Sequence, residues 1–394
     1  MKKKKHLKKH KFLKIFLPIL LVFIVLFVSP WGMNFWVSSL VVFGITPETK
    51  FDPLNSLSRA PIEETVYFEG PQRMLMNGDF YRPDKGKHGA VLLIHGVVSA
   101  GKKDERLVKI ARTLARAGVT VFVPDFANIK KWHMLPSDTD EAVAAFQYMQ
   151  TDPKIEKNKV GIIGFSYSAA VALAAAADPL IANQVKYVGS FGGFYDGENE
   201  LKYITTGYFE YQGILYHQKV DDYSRHVFAF NLANYTENKN DTAILTPLLD
   251  KIEKDLALDK NEREKIKQLS PEGKTVYNLL VNRDQNQFLG LYQKLPETIK
   301  NTIEILSPKN FIANIKARLL IAHGQKDPQI PQTESQLLYD SIQNKSNAHL
   351  ALLGTFTHVD VKLPNLTFVS FFNFYLPEFF KLQSFIYDFL WQTR

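Results

Sequence analysis

The sequence predicts an α/β protein with a mostly parallel central sheet, helices on both faces of that sheet and a helical insertion. Strand-like apolar runs alternate with helical segments over residues 64–196, stop over residues 197–312 and resume over residues 313–394. A repeated strand–helix–strand order is typical of parallel sheets. We therefore expect residues 64–196 and 313–394 to form one core and residues 197–312 to form a cap. Residues 46–63, rich in Pro, Ser and Thr, are expected to be a linker before the core.

A hairpin and then a strand–helix–strand unit are predicted at the start of the core. The segments ETVYFEG and RMLMNGDFYRP favour two paired strands. Gly89–Gly96 and Val119–Phe126 are nearly continuous apolar runs, as expected for strands buried on both faces. Between them, Asp104–Gly118 carries apolar residues at helical spacing and ends in a glycine suited to a left-handed cap.

The same two patterns continue along the chain. Asp140–Gln150 opens with acidic residues, which favour a helix N-terminus, and Lys159–Phe165 is a strand. The helix Ser168–Asp178 and the strand Gln184–Gly193 follow. After the insertion, the strands Ala317–Asp327 and AHLALLG flank the helix TESQLLYDSIQN. Parallel strands end together at one edge of a sheet, and functional residues are expected at that edge.

The positive charge of the chain comes from its first 14 residues. The chain has 48 Lys and Arg against 40 Asp and Glu, and residues 1–14 hold eight lysines and no acid. The remainder is therefore neutral and offers no broad electrostatic surface for nucleic acid, which we do not expect as a partner. The absence of cysteine excludes disulfides, thiolate nucleophiles and cysteine metal ligands.

An apolar segment follows the lysines. Residues 15–28 are all apolar, and no charge occurs in residues 15–47. A membrane-spanning helix needs about 20 residues, so residues 1–45 predict a lysine-rich head and an uncleaved transmembrane anchor. The positive-inside bias then places the N-terminus in the cytoplasm and the rest of the chain outside it. One alternative is a cleaved signal peptide. The other is a re-entrant hairpin, and only the hairpin would reverse this topology. The aromatic rings expected at the headgroup level are Trp31, Phe35 and Trp36.

The stretch GIIGFSYSAAVALAAAADP passes from a strand into an alanine-rich helix with almost no pause. A nucleophile elbow needs a strand, a strained turn and a helix, with small residues on either side of the nucleophile. Gly164 and Ser168 are the small neighbours of Ser166, and a helix N-terminus favours developing negative charge. Ser166 is therefore a candidate nucleophile. The alternative is an ordinary turn made of small residues.

Two more polar residues follow later strands. Asp327 lies just past a buried strand, and His358 follows the last predicted strand. A serine nucleophile needs a histidine as proton carrier and a carboxylate that orients the histidine. A solvated turn aspartate and a surface histidine are the alternatives. Asp360 is a second candidate carboxylate, and we prefer Asp327 because of its place at a strand end.

Two backbone amides are candidates for an oxyanion hole, which needs two N–H groups aimed at the developing charge. One belongs to Tyr167, directly after Ser166, and the other to Val97, in the loop after His95. We expect His95 to orient this loop. Its use as a catalytic base is the alternative.

With these residues in this order, the chain resembles serine hydrolases of the α/β-hydrolase fold, in the esterase and dienelactone-hydrolase-like group. The resemblance covers residues 64–196 and 317–394. It implies Ser166 as nucleophile, His358 as base and then acid, and Asp327 as orienting carboxylate, with no metal or organic cofactor. Two departures are the serine at position 168, where the motif has glycine, and the serine nucleophile, where dienelactone hydrolases have cysteine. The second argues against that specific activity. Epoxide hydrolases and haloalkane dehalogenases are disfavoured, because they need an aspartate as nucleophile.

The expected function is hydrolysis of carboxylic esters of small-molecule or lipid-like substrates. A peptidase or an acyltransferase on the same residues is the alternative, and a non-catalytic, membrane-tethered binding protein of the same fold is another. The aromatic segment 366–391 predicts a final helix that is kinked or divided at Pro377. This helix packs on the sheet or forms a second membrane contact. Five aromatic residues cluster early in the cap. We expect them either to cover the substrate pocket or to pack the cap onto the sheet. They are Tyr203, Tyr208, Phe209, Tyr211 and Tyr216.

Overall fold

The computed structural model describes residues 16–18, 21, 24–25, 27–46, 52–358 and 364–394. The strands in chain order are β1 (Ile62–Glu69), β2 (Leu75–Arg82), β3 (His88–Ile94), β4 (Thr120–Pro124), β5 (Ile155–Phe165), β6 (Tyr187–Phe191), β7 (Tyr208–Tyr211), β8 (Ile214–His217), β9 (Arg318–Gly324) and β10 (Ala348–Leu353).

The α-helices in chain order are α1 (Pro30–Ile45), α2 (Pro53–Leu57), α3 (Glu105–Arg116), α4 (Ala127–Lys130), α5 (Ser137–Met149), α6 (Tyr167–Ala177), α7 (Gly197–Thr206), α8 (Asp222–Asn234), α9 (Lys239–Leu245), α10 (Leu249–Glu253), α11 (Lys260–Lys267), α12 (Pro271–Leu280), α13 (Gln285–Tyr292), α14 (Glu297–Ile305), α15 (Gln332–Ser341), α16 (Phe368–Ser370) and α17 (Leu376–Thr393). Short 3₁₀ turns occur at Pro71–Arg73, Gly101–Lys103, Thr246–Leu248, Pro308–Asn310, Ile312–Asn314 and Lys345–Asn347, and a π-helical turn at Phe371–Tyr375.

Eight strands form one sheet in the order β1-β2-β4-β3-β5-β6-β9-β10. β2 pairs antiparallel with β1 and with β4, and the other five pairs are parallel. The predicted opening hairpin and the mostly parallel sheet with flanking helices are confirmed, and the protein has the α/β-hydrolase fold. Local signals also hold at α3, where Asp104 caps the N-terminus and Gly118, with φ of 93°, follows the C-terminus.

Two apolar layers lie between the sheet and its helices. On one face, strand residues such as Leu92 and Ile162 pack against α5, α6 and α15. The alanines of α6 allow this helix to approach the strands closely, because they add little side-chain bulk. On the other face, strand residues such as Val91 and Leu93 pack against α1, α3 and α17.

Helix α1 lies against the C-terminal helix. The Asn34 side chain donates to the carbonyl oxygen of Tyr387 at 2.8 Å, and the Gln383 side chain donates to the Ser38 hydroxyl at 2.8 Å. These polar contacts sit in an otherwise apolar segment. They tie residues 30–45 to the hydrolase core, while the rings of Trp31, Phe35 and Trp36 remain exposed.

In the part of the chain that the structure describes, no helix combines the length and the apolar character needed to cross a bilayer. The predicted anchor segment, residues 15–28, falls only partly among the described residues, and residues 1–14 fall outside them. The anchor and its topology therefore stay predictions. Of the segment 46–63 expected to be a linker, residues 47–51 lie outside the description, Pro53–Leu57 forms α2, and β1 begins at Ile62.

Residues 197–312 contain helices α7 to α14 around an apolar cluster of their own. They also contain the two-stranded β7–β8 pair, which the helical prediction did not include. Among the cap aromatics, Tyr203 is fully buried and its hydroxyl donates to the carbonyl oxygen of Pro328 at 2.8 Å. The rings of Phe209 and Tyr216 stack at 5.3 Å. These aromatic side chains hold the cap together and attach it to the core.

The C-terminal aromatic segment is helical without a break from Phe368 to Thr393 and changes to a π-helical turn just before Pro377. Pro377 lies in the first turn of α17, directly after the π-helical turn. Before this point Phe368 and Phe372 are exposed and Phe374 is half-buried, whereas Ile386 and Leu390 are buried against the sheet. The helix after Pro377 therefore packs on the core. This is the first of the two interpretations given for the segment, packing on the sheet rather than contact with a membrane.

Asp388 fastens α17 to the sheet and makes the stability of this contact pH-dependent. Burial alone would raise the pKa of Asp388, but hydrogen bonds from His349 and Arg318 outweigh it and lower the pKa from 3.8 to about 2. The carboxylate therefore stabilises the fold above about pH 4, and this contribution is lost as the pH falls towards 2. We expect Asp388→Asn to lower the free energy of unfolding at pH 7 by about 2 kcal/mol.

Urea unfolding between pH 2 and pH 7 measures this effect. The difference between the wild type and Asp388→Asn should shrink as the pH falls from 4 to 2. A difference that stays constant over this interval would show that the carboxylate charge plays no part in holding α17.

Candidate active site

Three neighbouring strands end side by side at the site. Phe165 at the end of β5 pairs in register with Phe191 of β6, which in turn pairs with Ala322 of β9. Ser166 directly follows β5, and Asp327 follows β9 by three residues. The sheet topology therefore brings two of the predicted site residues to one edge, although 161 positions separate them in the sequence.

Ser166 occupies a strained turn between β5 and α6. Its φ of 56° and ψ of −131° are rare for a residue with a side chain, and such backbone strain costs about 1–3 kcal/mol. The Ser166 amide donates to the carbonyl oxygen of Phe191 at 2.8 Å, which fixes the turn to β6. A Cβ on Gly164 would lie 1.9 Å from the carbonyl oxygen of Ser168, so only glycine fits there.

Ser168 fills the place where the motif usually has glycine. It is fully buried, and its hydroxyl donates to the carbonyl oxygen of His95 at 2.6 Å. The side chain at position 168 is therefore limited in size by its surroundings, and it also joins the turn to the end of β3.

Substitutions at positions 164 and 168 test how tight the turn is. We expect Gly164→Ala and Ser168→Leu to lose the fold of the turn and with it the activity, because no space exists for the added atoms. Ser168→Gly should fold and stay active, with a loss of about 1–2 kcal/mol from the missing hydrogen bond and the added helix glycine. Urea unfolding and ester turnover measure the three variants. Full activity in Gly164→Ala or Ser168→Leu would contradict a tight turn.

Asp327 and His358 form a buried pair. The Nδ1 atom of His358 lies 2.6 Å from Oδ2 of Asp327, and the two residues are 4% and 1% exposed. The other carboxylate oxygen, Oδ1, accepts hydrogen bonds from the amides of Gln329 at 2.8 Å and Ile330 at 3.1 Å. Asp327 is thus held rigidly, and its contact with Nδ1 leaves Nε2 on the opposite edge of the His358 ring.

Gly192 lies beside this pair. Its φ is 61°, which favours glycine, and an added Cβ would lie 3.5 Å from the His358 ring and 3.7 Å from Oδ2 of Asp327. The chain after β6 therefore passes directly beside the histidine and its carboxylate.

A second histidine contacts Asp327. Nε2 of His323 lies 3.2 Å from Oδ2 of Asp327, and its Nδ1 lies 2.7 Å from the Ser335 hydroxyl. Burial alone would raise the pKa of Asp327, but His358 and His323 outweigh it and lower the pKa below its usual value. The carboxylate therefore stays ionised beside His358. The sequence interpretation missed His323, although its place at a strand end, four residues before Asp327, is a usable signal.

His95 positions the loop after β3. Its Nδ1 lies 2.9 Å from the carbonyl oxygen of Gly96, and its Nε2 accepts a hydrogen bond from the Phe126 amide at 3.1 Å. Because Nε2 accepts, the ring is neutral, and burial lowers the pKa of His95. Both ring nitrogens bind backbone atoms, which favours the orienting role over the role of catalytic base.

The two residues predicted for the oxyanion hole lie near Ser166 in different ways: Tyr167 follows it in the chain, and Val97 lines the same cavity as Ser166. A Cβ on Gly96 would lie 3.9 Å from Cβ of Ser166, so the loop that continues to Val97 passes close to the serine. The carbonyl oxygen of Val97 accepts a hydrogen bond from the Tyr223 hydroxyl of the cap. Tyr167 is the first residue of α6, and the first amides of a helix have no intrahelical partner.

The Tyr167 side chain is anchored by a carboxyl group that the sequence interpretation did not select. Its buried hydroxyl donates to Oδ2 of Asp138 at 2.8 Å. Burial raises the pKa of Asp138 to about 6. This contact holds the Tyr167 side chain beside α5.

Ser166 and His358 share the wall of one cavity with a volume of about 570 Å³. Most of this cavity, which we call the central cavity, lies between the sheet and the helices α3 and α17. The cap contributes Tyr223 to its wall, and the five cap aromatics predicted for the site do not line it. Their packing role within the cap is thus the interpretation that the contacts favour. Asp360 lies outside the described residues.

One group of potential metal ligands occurs among the described residues. His226, Asp250 and Glu253 have ligand atoms within 4.8 Å of one another. They belong to the cap and do not line the central cavity. A metal ion there would not contact Ser166.

The chain is similar to several solved structures at low sequence identity. Similar solved structures include an acylaminoacyl peptidase of Pyrococcus horikoshii (13% identity, 77% of this chain and 39% of that chain, TM-score 0.44). They also include a dienelactone hydrolase from Anabaena variabilis (14% identity, 84% and 97%, TM-score 0.43) and an esterase of Pyrococcus furiosus (14% identity, 88% and 95%, TM-score 0.44). The chain spans about two fifths of the length of the acylaminoacyl peptidase. None of the curated proteins matches the sequence.

A family model described as X-Pro dipeptidyl-peptidase (S15 family) matches residues 131–360. The matched segment is 230 of the 394 residues and includes Ser166, Asp327 and His358. The chain therefore belongs to the S15 family and is a serine hydrolase of the α/β-hydrolase fold.

Proposed function

We propose that this protein hydrolyses carboxylic esters, with Ser166 as nucleophile, His358 as general base and then acid, and Asp327 as the carboxylate that orients His358. The observation that carries the proposal is the buried Asp327–His358 pair, 2.6 Å apart, on the wall of the cavity that also contains the strained Ser166. A histidine held in this way accepts a proton from a serine hydroxyl on the Nε2 side.

The reaction proceeds by acyl transfer in two halves. His358 takes the proton of the Ser166 hydroxyl while Oγ attacks the ester carbonyl carbon. The amides of Val97 and Tyr167 stabilise the oxyanion, and the alcohol leaves with the proton from His358. Water then gives a proton to His358 and attacks the acyl-enzyme. This second adduct breaks down to the acid, and His358 returns its proton to Oγ of Ser166. Asp327 stays ionised throughout and stabilises the imidazolium.

The lining of the central cavity favours an ester over a peptide. Below Ser166 its walls are formed by aliphatic and aromatic side chains. Of the two carboxylates on its rim, that of Asp104 is paired with Arg106 at 2.8 Å. An apolar acyl group fits such walls better than a charged peptide terminus does, because burying an unpaired ammonium is costly.

A peptidase that releases dipeptides is the second candidate, and the family match favours it. Such an enzyme uses the same acyl-enzyme chemistry but must bind a free N-terminal ammonium. Glu105, which is exposed on the cavity rim, is the carboxylate available for that contact.

Two chromogenic substrates with related leaving groups separate the two activities. We expect the full chain to hydrolyse p-nitrophenyl butyrate with a kcat/KM far above that for glycyl-prolyl-p-nitroanilide. Ser166→Ala is the control for uncatalysed hydrolysis. A preference for the anilide that depends on Ser166, and that Glu105→Gln abolishes, would establish the peptidase instead.

We further propose that residues 15–28 tether the enzyme to a membrane, with the lysine-rich head in the cytoplasm and the hydrolase core on the other side. The support is the uncharged run of residues 15–47 behind the eight lysines. The full chain should stay with membranes after carbonate washing, and a variant that lacks residues 1–29 should not. Release of the full chain would contradict the tether, and protease protection of the core in intact cells would contradict its orientation.

A further inference from the structure

We infer that the central cavity is a binding site for the acyl chain of a medium- to long-chain ester, placed on the face of the sheet that carries α3 and α17. The inference rests on the proposed ester hydrolysis and names its substrate class. The sequence suggested a pocket beneath the cap, whereas the cavity descends from Ser166 along the sheet.

The strands form one wall of the cavity. Leu93, Ile163 and Gly189 line it and lie in register across β3, β5 and β6. Ile163 precedes Ser166 by three residues, so this row lies about 10 Å below the serine at the usual rise of a strand. Gly189, at one end of the row, adds no side chain to the cavity.

Two helices form the opposite wall. Leu107, Ile110 and Leu114 line the cavity from successive turns of α3, which covers about 10 Å along that helix. Phe385 and Phe389 line it from α17, one turn apart. The depth of the cavity estimated along the helix therefore agrees with the depth estimated along the strands.

The polarity of the lining changes along this axis. Ser166, His358 and the α3 N-terminal residues Asp104 and Arg106 lie at the mouth, and the deeper lining is apolar. An ester has this same order of groups, with a polar carboxyl group at the reacting end and a hydrocarbon chain beyond it. A bound acyl chain would thus place its carbonyl at Ser166 and its methylenes between the sheet and the two helices.

Helix α1 closes one side of the cavity. Its last residue, Ile45, contributes to the wall, and the Lys109 side chain donates to the carbonyl oxygen of Thr46 at 2.7 Å. The aliphatic stem of Lys109 also lines the cavity while its ammonium group holds the end of α1. The segment that follows the predicted anchor is therefore part of the site.

A volume of about 570 Å³ lies within the range of small-ligand sites, about 300–1,000 Å³. The cavity therefore has room for a hydrocarbon chain.

A chain-length series tests the inference on the full chain. With p-nitrophenyl acetate, butyrate, octanoate and palmitate, kcat/KM should rise about fourfold per methylene until the cavity is full. Leu114→Trp, which narrows the deep end, should lower the octanoate-to-acetate ratio of kcat/KM at least about tenfold. Val108→Trp on the same helix lies outside the cavity and should keep the wild-type ratio. An unchanged ratio in Leu114→Trp would overturn the inference.

Direct binding separates this inference from the proposed reaction. The inactive Ser166→Ala protein should bind dansylundecanoic acid, and adding Leu114→Trp should weaken binding at least about tenfold. Wild-type hydrolysis of acetate with no binding of this probe would overturn the acyl site and leave the ester hydrolase intact. Absence of any ester turnover would overturn the proposed function. If Leu114→Trp does not fold, Ile110→Trp, at a half-buried position of the same wall, takes its place.

Discussion

Ser166→Ala is expected to lower ester turnover at least about 10⁴-fold while the fold stays intact. The alanine keeps Cβ and the backbone of the turn but removes the atom that attacks the substrate. The strain at φ of 56° remains in the variant, because it belongs to the backbone and is imposed by the bond from the Ser166 amide to Phe191. Stopped assays of p-nitrophenyl butyrate and a far-UV circular dichroism spectrum measure the two quantities.

Ser168→Ala is the matched control, because it removes a hydroxyl from the same turn. This hydroxyl binds the carbonyl oxygen of His95 and does not line the central cavity. We expect it to lose less than about tenfold in turnover, with a lower free energy of unfolding by about 1 kcal/mol. Residual turnover in Ser166→Ala comparable to that of Ser168→Ala would show that Ser166 is only a small residue in a bend.

Asp327→Asn is expected to lower kcat about 10⁴-fold with little change in KM. The amide has nearly the shape of the carboxylate, but it cannot stabilise the imidazolium form of His358, and its NH₂ group can force the wrong tautomer. The hydrogen bonds from Gln329 and Ile330 go to one oxygen, Oδ1, and an asparagine oxygen can still accept them.

Asp360→Asn is the control that separates the two candidate carboxylates. Asp360 follows His358 by two residues and lies outside the described part of the chain. We expect a change of only a few-fold in this variant. A large loss in Asp360→Asn together with a small loss in Asp327→Asn would contradict the assignment of the orienting carboxylate.

The fold could be predicted from the sequence because the patterns that mark its strands and helices are local. The apolar runs at β3, β4 and β5 mark buried strands, and Asp104 and Gly118 mark the two ends of α3 by their capping chemistry. The site residues Ser166, Asp327 and His358 could be predicted for a related reason. Each follows a strand, and parallel topology carries such residues to one edge.

Other features depend on how distant segments pack. The central cavity arises from the distance between the sheet and the helices α3 and α17, and no local pattern encodes that distance. The apolar segment 30–45 suits a membrane or a protein interior equally well by composition. Its contacts through Asn34 and Ser38 with α17 show that one side of the helix packs on the core, and they become visible only in three dimensions. The contact of His323 with Asp327 also could not be predicted from a local pattern.

The nucleophile is the central claim, and labelling with a fluorophosphonate probe tests it most directly. Such a probe reacts with a serine only when a base activates it and an oxyanion hole is formed. After labelling of the full chain and proteolysis, mass spectrometry should find the phosphonate on Ser166 alone, and Asp327→Asn should slow the labelling. An adduct on another residue, or no adduct on the folded protein, would contradict the account.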